Sequence, residues 1–174
     1  MNNASSNINV PDDEDVSVIF SKHKINLVNP NDILQNQANS YIALDYGEKR
    51  IGVAGGNFLN TFSIQICHYT TRLERFNALN KIIGEWKPNF IILGLPLHAD
   101  GKAHTLTRAS CNFGLDLYRY FKIPIFWTDE RYTTSIYNKK YKEYVDDKSA
   151  MLIMEQFLHS LNNNSGNLYY NLYD

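Results

Sequence analysis

Three carboxylate positions in this chain stand where predicted secondary-structure elements end. Acids held at such ends are the residues that gather hard cations or move protons. Asp45 closes the apolar run Tyr41-Ile42-Ala43-Leu44 and is followed by Tyr46-Gly47. Asp129-Glu130-Arg131 comes just after the run Ile123-Pro124-Ile125-Phe126-Trp127, and Val145-Asp146-Asp147 stands where a last helix begins. Oxygen donors without a His or Cys partner suit Mg2+ or Mn2+ and argue against zinc. Each acid also has a plainer reading. Asp146 or Asp147 would serve as a helix N-cap, Glu130 would pair with Arg131 or another cation, and Asp45 would be a turn residue before Tyr46-Gly47.

The elements that must position these acids follow from periodicity. Strands are expected at about 40–45, 51–55 and 62–69, the third alternating Phe62, Ile64 and Ile66 with polar neighbours. Thr71-Arg72-Leu73-Glu74 is a capping box. It opens a helix whose apolar face, Leu73, Phe76, Leu79, Ile82, Ile83 and Trp86, runs to the stop at Pro88. Phe90 to Leu95 is continuously apolar, as in a strand covered on both faces. A loop through Pro96 and Gly101 leads to a second helix carrying Leu106, Ala109, Phe113, Leu117 and Tyr120. A fifth strand spans 123–127, a short helical segment begins near Thr134, and a final helix runs from about Asp147 to Leu161. This order predicts an α/β fold: a mixed five-stranded sheet, made of a three-strand antiparallel meander plus two parallel strands, with helices on both faces. Functional groups in open sheets cluster at the carboxyl ends of adjacent strands. Asp45 and Glu130 would converge there if their strands are near neighbours, and a helix start beside them would add Asp146.

The 174 residues fit one such domain, expected over 40–161. Residues 1–39 are rich in Asn, Ser and Asp and read as an extension, largely disordered or loosely docked through Val16-Ser17-Val18-Ile19-Phe20. Residues 162–174 read as a flexible tail, where Tyr169, Tyr170 and Tyr173 either stack on a base or belong to a frayed end. The formal net charge of −1 hides an asymmetry, because residues 40–161 carry 15 Lys and Arg against 12 Asp and Glu. That balance is compatible with a polyanionic partner. Cys67 and Cys111 are too few and too far apart for a disulfide framework, so both read as reduced thiols of a cytoplasmic protein without signal peptide or membrane span.

Four motifs carry a resemblance. They are Ala43-Leu44-Asp45-Tyr46-Gly47-Glu48-Lys49-Arg50-Ile51-Gly52-Val53-Ala54, Gly94-Leu95-Pro96-Leu97-His98-Ala99-Asp100-Gly101, Asp129-Glu130-Arg131-Tyr132-Thr133-Thr134, and Val145-Asp146 with Ser149-Ala150. In order and approximate spacing this set resembles the YqgF/RuvX family of RNase H-like proteins, described as pre-16S rRNA nucleases and earlier as Holliday-junction-resolvase-like. The resemblance implies an RNase H-like fold with Asp45, Glu130 and Asp146 as an acidic triad. The chain departs from the family where Tyr132 replaces a usual Leu and Tyr137 a usual Ala. It also has two adjacent acids, Asp146 and Asp147, where the family has one. Counting back from Ser149-Ala150 selects Asp146; a one-residue slip selects Asp147.

Phosphodiester hydrolysis needs an activated water, a neutralised transition state and a stabilised leaving oxygen, and two divalent ions roughly 3.5–4 Å apart would serve all three. Asp45 would bridge Mg2+ or Mn2+ ions, with Glu130 and Asp146 each completing one. Gly47 would let the backbone approach a phosphate, and Lys49, Arg50 and Arg131 would meet backbone phosphates. His98 would either shape the cleft or touch substrate, and Lys139, Lys140 and Lys142 would steer RNA or form a solvated face. The family implies structured RNA, the 5′ end of pre-16S rRNA, as substrate and ribosomal precursor particles as partners, the protein being a monomer or weak homodimer. A branched-DNA resolvase and a non-catalytic nucleic-acid-binding or transcription-associated protein are the alternatives. Phosphoryl transfer of the actin and hexokinase type needs a two-domain duplication that does not fit this length.

Overall fold

The hairpin around Gly47 builds outward into one mixed sheet. The structure is a computed structural model and describes residues 13–22, 25–27, 40–132, 148–163 and 168–171. In chain order the elements are α1 (Val16–Lys22), β1 (Ile25–Leu27), β2 (Tyr41–Tyr46), β3 (Arg50–Gly56), β4 (Thr61–His68), α2 (Arg72–Trp86), β5 (Phe90–Leu95), α3 (Thr105–Phe121), β6 (Ile125–Asp129), a 3-10 turn (Glu130–Tyr132), α4 (Ser149–Asn162) and β7 (Leu168–Asn171). The sheet order is β1-β7-β6-β5-β2-β3-β4. The expected five-stranded core is present, with β2, β3 and β4 as an antiparallel meander and β5 and β6 parallel to β2.

Local signals account for the helices. Thr71 Oγ1 accepts from the Glu74 N–H at 3.2 Å, and Glu74 Oε2 accepts from the Thr71 N–H at 3.4 Å, the reciprocal pair of a capping box at the start of α2. Lys87 ends the helix in the left-handed conformation at φ 46°, one residue before Pro88. At α3, His104 Nδ1 accepts from the Leu106 N–H at 3.2 Å, and Thr107 Oγ1 accepts from the His104 N–H at 2.9 Å.

Alternation along the strands divides the core into two layers. Ile42, Leu44, Ile91, Leu93 and Trp127 meet α2 and α3, where Gly114 is required because a Cβ there would lie 2.8 Å from Trp127 Cε2. Tyr41, Ala43, Ala54, Phe90, Ile92 and Phe126 meet Ala150, Ile153, Met154 and Phe157 of α4. The continuous burial of β5 follows from being covered on both faces. Among the described residues, no helix is long and apolar enough to cross a membrane.

Elements outside residues 40–161 also join the sheet and its core. In the extension, α1 buries Val16, Ile19 and Phe20, with the Phe20 ring 5.5 Å from that of Trp127. β1 pairs with β7 of the tail, and β7 pairs with β6. Val16–Lys22 thus docks through the patch named in the extension, and Ile25–Leu27 and Leu168–Asn171 lie in paired strands. The apolar side chains of α1 and the edges of these strands find their partners through contacts distant in sequence. Leu73, Leu106 and Tyr120, expected on buried helix faces, are 70%, 57% and 57% exposed, because helical spacing does not show where the covering sheet stops. The short helix expected near Thr134 lies outside the described residues, as does Tyr137.

Burying Phe20 against Trp127 makes α1 part of the core, and deleting a buried Phe side chain typically costs about 3–5 kcal/mol. Phe20→Ala is expected to lower Tm in a thermal melt by roughly 6–12 °C. A drop under about 2 °C would show α1 to be dispensable.

Candidate active site

Side-chain parity brings the first two acids together. On β2, Tyr41 and Ala43 face α4, so Asp45, two residues further on, emerges on the same side at the strand tip. On β5, Phe90 and Ile92 put Gly94 on that side as well. The ladder between β5 and β6 continues through Leu95 and Asp129, so β6 runs two residues beyond the predicted strand. Asp129 then points away from α4, and Glu130 turns back toward it.

Glu130 lies over Gly94. A Cβ at Gly94 would come within 2.7 Å of the Glu130 carboxyl carbon and 2.9 Å of Ile153 Cδ1, so only glycine leaves the seat open. Opposite Asp45 in the β2–β3 ladder is Gly52, where a Cβ would sit 3.6 Å from both Asp45 Cβ and Ala150 Cβ. The first turn of α4 thus abuts the acid, and Ser149 hydrogen-bonds the Asp45 side chain.

Electrostatics couple the pair. Burial raises Asp45 above the ordinary carboxylate range, against the Ser149 hydrogen bond and the nearby Arg50 charge, which favour ionisation. Glu130 is pushed up to about 7, first by burial and then by the negative charges of Asp45 and Asp129. Both acids line a cleft of about 150 Å³ with Gly47, Gly94, Pro96, Leu106 and Ser110. A second recess of about 160 Å³ lies on the other side of Asp45, lined by Gly47, Arg50, Gly52 and Ile66. Asp45, Tyr46 and Gly47 line both.

The structure therefore gathers Asp45, Glu130, Gly47 and Arg50. Lys49 is exposed in the hairpin turn that carries Arg50. The other two candidates sit elsewhere. Arg131 is folded onto the buried Asp129, with Nε 3.0 and 2.9 Å from the two carboxylate oxygens, and its Nη1 donates to the Ala99 carbonyl at 3.3 Å. His98 is exposed in the loop after β5, its ring 4.8 Å from that of His104, and lines neither recess. Asp146 and Asp147 lie outside the described residues, as do Lys139, Lys140 and Lys142; the helix that the two acids precede in sequence begins beside Asp45. Ser149 and the seat at Gly94 escaped the sequence reading as site features. The available signal was a glycine inside a strand pattern, which marks close approach.

Among the described residues no group of three or more His, Cys, Asp or Glu is placed to hold a metal. The two acids that do meet are desolvated, hard-oxygen donors of like charge, a combination that a divalent cation such as Mg2+ or Mn2+ would relieve.

The family model described as "RuvX: Holliday junction resolvase" matches residues 39–160. The chain belongs to the RuvX family. Two curated relatives, each called "Putative pre-16S rRNA nuclease", come from Paraburkholderia xenovorans and Burkholderia thailandensis. They are 39% and 40% identical over 128 residues, a span of 69% of this chain and 88% of theirs. Among solved structures, Thermus thermophilus RuvC in complex with a Holliday junction substrate superposes with a TM-score of 0.54 at 10% identity, over 76% of this chain and 99% of that one. A second Thermus thermophilus RuvC structure gives a TM-score of 0.50 at 9% identity over the same shares. These two show the fold, which is RNase H-like, and α1, β1 and β7 lie outside the residues matched to the RuvX model.

Because Glu130 is raised from 4.5 to about 7, the metal-free folded state holds this proton more tightly than the unfolded chain. The resulting stability is fully present below pH about 4.5 and is lost as pH rises through about 7. Glu130→Gln removes that loss. In thermal melts with chelator its Tm is expected to exceed the parent's by roughly 2–6 °C at pH 8, with the gap closing toward pH 4.5. A gap independent of pH would contradict the coupling.

Proposed function

We propose that this protein is a metal-dependent endonuclease of the cytoplasm that hydrolyses phosphodiester bonds in structured RNA, its substrate being the 5′ end of pre-16S rRNA in ribosomal precursor particles. The observation that carries the reading is the convergence of desolvated Asp45 and Glu130 in one cleft, beside a hairpin bearing Lys49 and Arg50. The names of the curated relatives support the choice of substrate.

Asp45, Glu130 and Asp146 would hold Mg2+ or Mn2+, with Asp147 as the alternative third ligand. A bound divalent pair supplies an activated water and neutralises charge on the phosphoryl oxygens. The chain's own groups do the rest. Arg50, beside Asp45 on the far side of the cleft, meets the phosphate backbone, and Lys49 adds a second charge from the turn. Gly47 keeps that approach free of a side chain, since a Cβ there would already press on the Arg50 carbonyl at 3.0 Å. Glu130 must release its proton before it can act as a ligand, so cation affinity should rise as pH passes about 7. Arg131 holds Asp129 and the loop after β5 in place, and contributes to the cleft through that loop.

A second reading, cleavage of branched DNA, is favoured by the description of the matching family model. The two are separated by offering precursor rRNA and a four-way DNA junction in parallel, with Mn2+ and with EDTA. Cleavage of the RNA alone is expected, and cleavage of the junction alone would overturn the substrate choice. Asp45→Asn should abolish cleavage while leaving Tm unchanged or higher, because it removes a buried charge beside Glu130; full activity in that variant would sink the mechanism. Asp146→Asn is expected to cost far more activity than Asp147→Asn. Equal tolerance of both would remove the third ligand.

A further inference from the structure

Behind the hairpin that carries Gly47, Lys49 and Arg50 sits Tyr69, the first residue after β4 and only 7% exposed. It grips the hairpin at two points. Its backbone N–H donates to the Lys49 carbonyl at 3.1 Å, and its hydroxyl donates to the Gly47 carbonyl. The hairpin closes on itself through the Gly47 N–H to the Arg50 carbonyl, 3.0 Å. Residues 48–50 are exposed; Arg50 opens β3 opposite His68, and Tyr69, next in the chain, adds these ties between the turn and the body of the sheet.

Tyr69 is itself braced by Arg75 of α2. The guanidinium lies 5.5 Å from the Tyr69 ring centroid, 5.6 Å from those of Tyr46 and Phe76, and 4.9 Å from that of Phe113. Its Nη1 donates to the Tyr46 hydroxyl at 3.4 Å, while Nε is buried with no partner among the described residues. A dry, unpaired guanidinium nitrogen is destabilising, and contacts with four ring faces offset part of that cost. An apolar side chain would fill such a cage without the penalty. What the cation adds is a simultaneous hold on Tyr46 and Tyr69. The first of these adjoins Asp45, and the second anchors the turn.

We infer that Tyr69, braced by Arg75, is a positioning residue that fixes the Gly47–Arg50 hairpin for contact with a nucleic-acid backbone. What the hairpin contacts rests on the nuclease reading; its anchoring by Tyr69 does not. Tyr69→Phe keeps the ring in the cage and deletes only the hydroxyl. Amide hydrogen exchange should then accelerate at residues 47–50 and stay unchanged in β5 and α4, with Tm within about 3 °C of the parent. Losing one hydrogen bond at this anchor should raise KM, and Kd for RNA measured by anisotropy in EDTA, by about 3–10-fold with kcat nearly constant. Arg75→Lys, which keeps the charge and loses the fork, should shift the same readouts in the same direction.

Exchange that rises evenly along the chain, in step with a falling Tm, would reduce Tyr69 to a core residue and overturn the inference. So would local loosening with unchanged Kd. If neither parent nor variant cleaves RNA, the nuclease reading fails, while exchange and Kd still decide the role of Tyr69.

Discussion

Everything on the α4 side of the sheet is arranged around two like charges in a poorly solvated cleft. Burial opposes ionisation of Asp45 more than Ser149 and Arg50 favour it, and Glu130 is opposed by burial, by Asp45 and by Asp129. Two carboxylates in such surroundings do not both ionise easily without a cation between them. The fold holds both in one cleft, and perturbed carboxylates of this kind cluster at functional sites.

Room for the pair comes from small residues. Gly52 and Ala54 on β3, Ala43 on β2 and Gly94 on β5 let α4 lie close to the sheet, and the last of them leaves the space that Glu130 fills. Glycine inside a central strand weakens it by roughly 0.5–1 kcal/mol relative to alanine. Here that loss accompanies a seat for a carboxylate. The opposite face, where Trp127 and Leu93 pack under α2 and α3, supplies the apolar burial that supports the arrangement.

The rim is fixed from outside the family's matched span. Asp13 donates its N–H to the Ala103 carbonyl at 3.0 Å, and the Ala103 N–H donates to the Glu14 carbonyl at 2.9 Å, so the segment before α1 pins the end of the loop that follows β5. Arg131 holds the same loop at Ala99. This loop begins at Pro96, which lines the cleft, and so the extension and the Asp129–Arg131 pair together set one wall of the site.

The capping box at Thr71, the strand runs, the stop at Pro88 and the placing of Asp45 and Glu130 at strand ends were legible in the sequence. They are written in neighbouring residues and in periods of two or 3.6. Gly47 and Arg50 were legible for the same reason, being carried on the hairpin that Asp45 begins. Only the tertiary structure decided that Asp129 and Glu130 point to opposite sides, since that depends on how far β6 stays paired with β5. It also decided that Arg131 turns to Asp129, that Gly94 seats Glu130, that β1 and β7 extend the sheet and that α1 packs against it. Apart from Arg131 on Asp129, a pair two residues apart, each of these is a contact between residues far apart in the chain, and no local pattern records which distant partner a residue will meet.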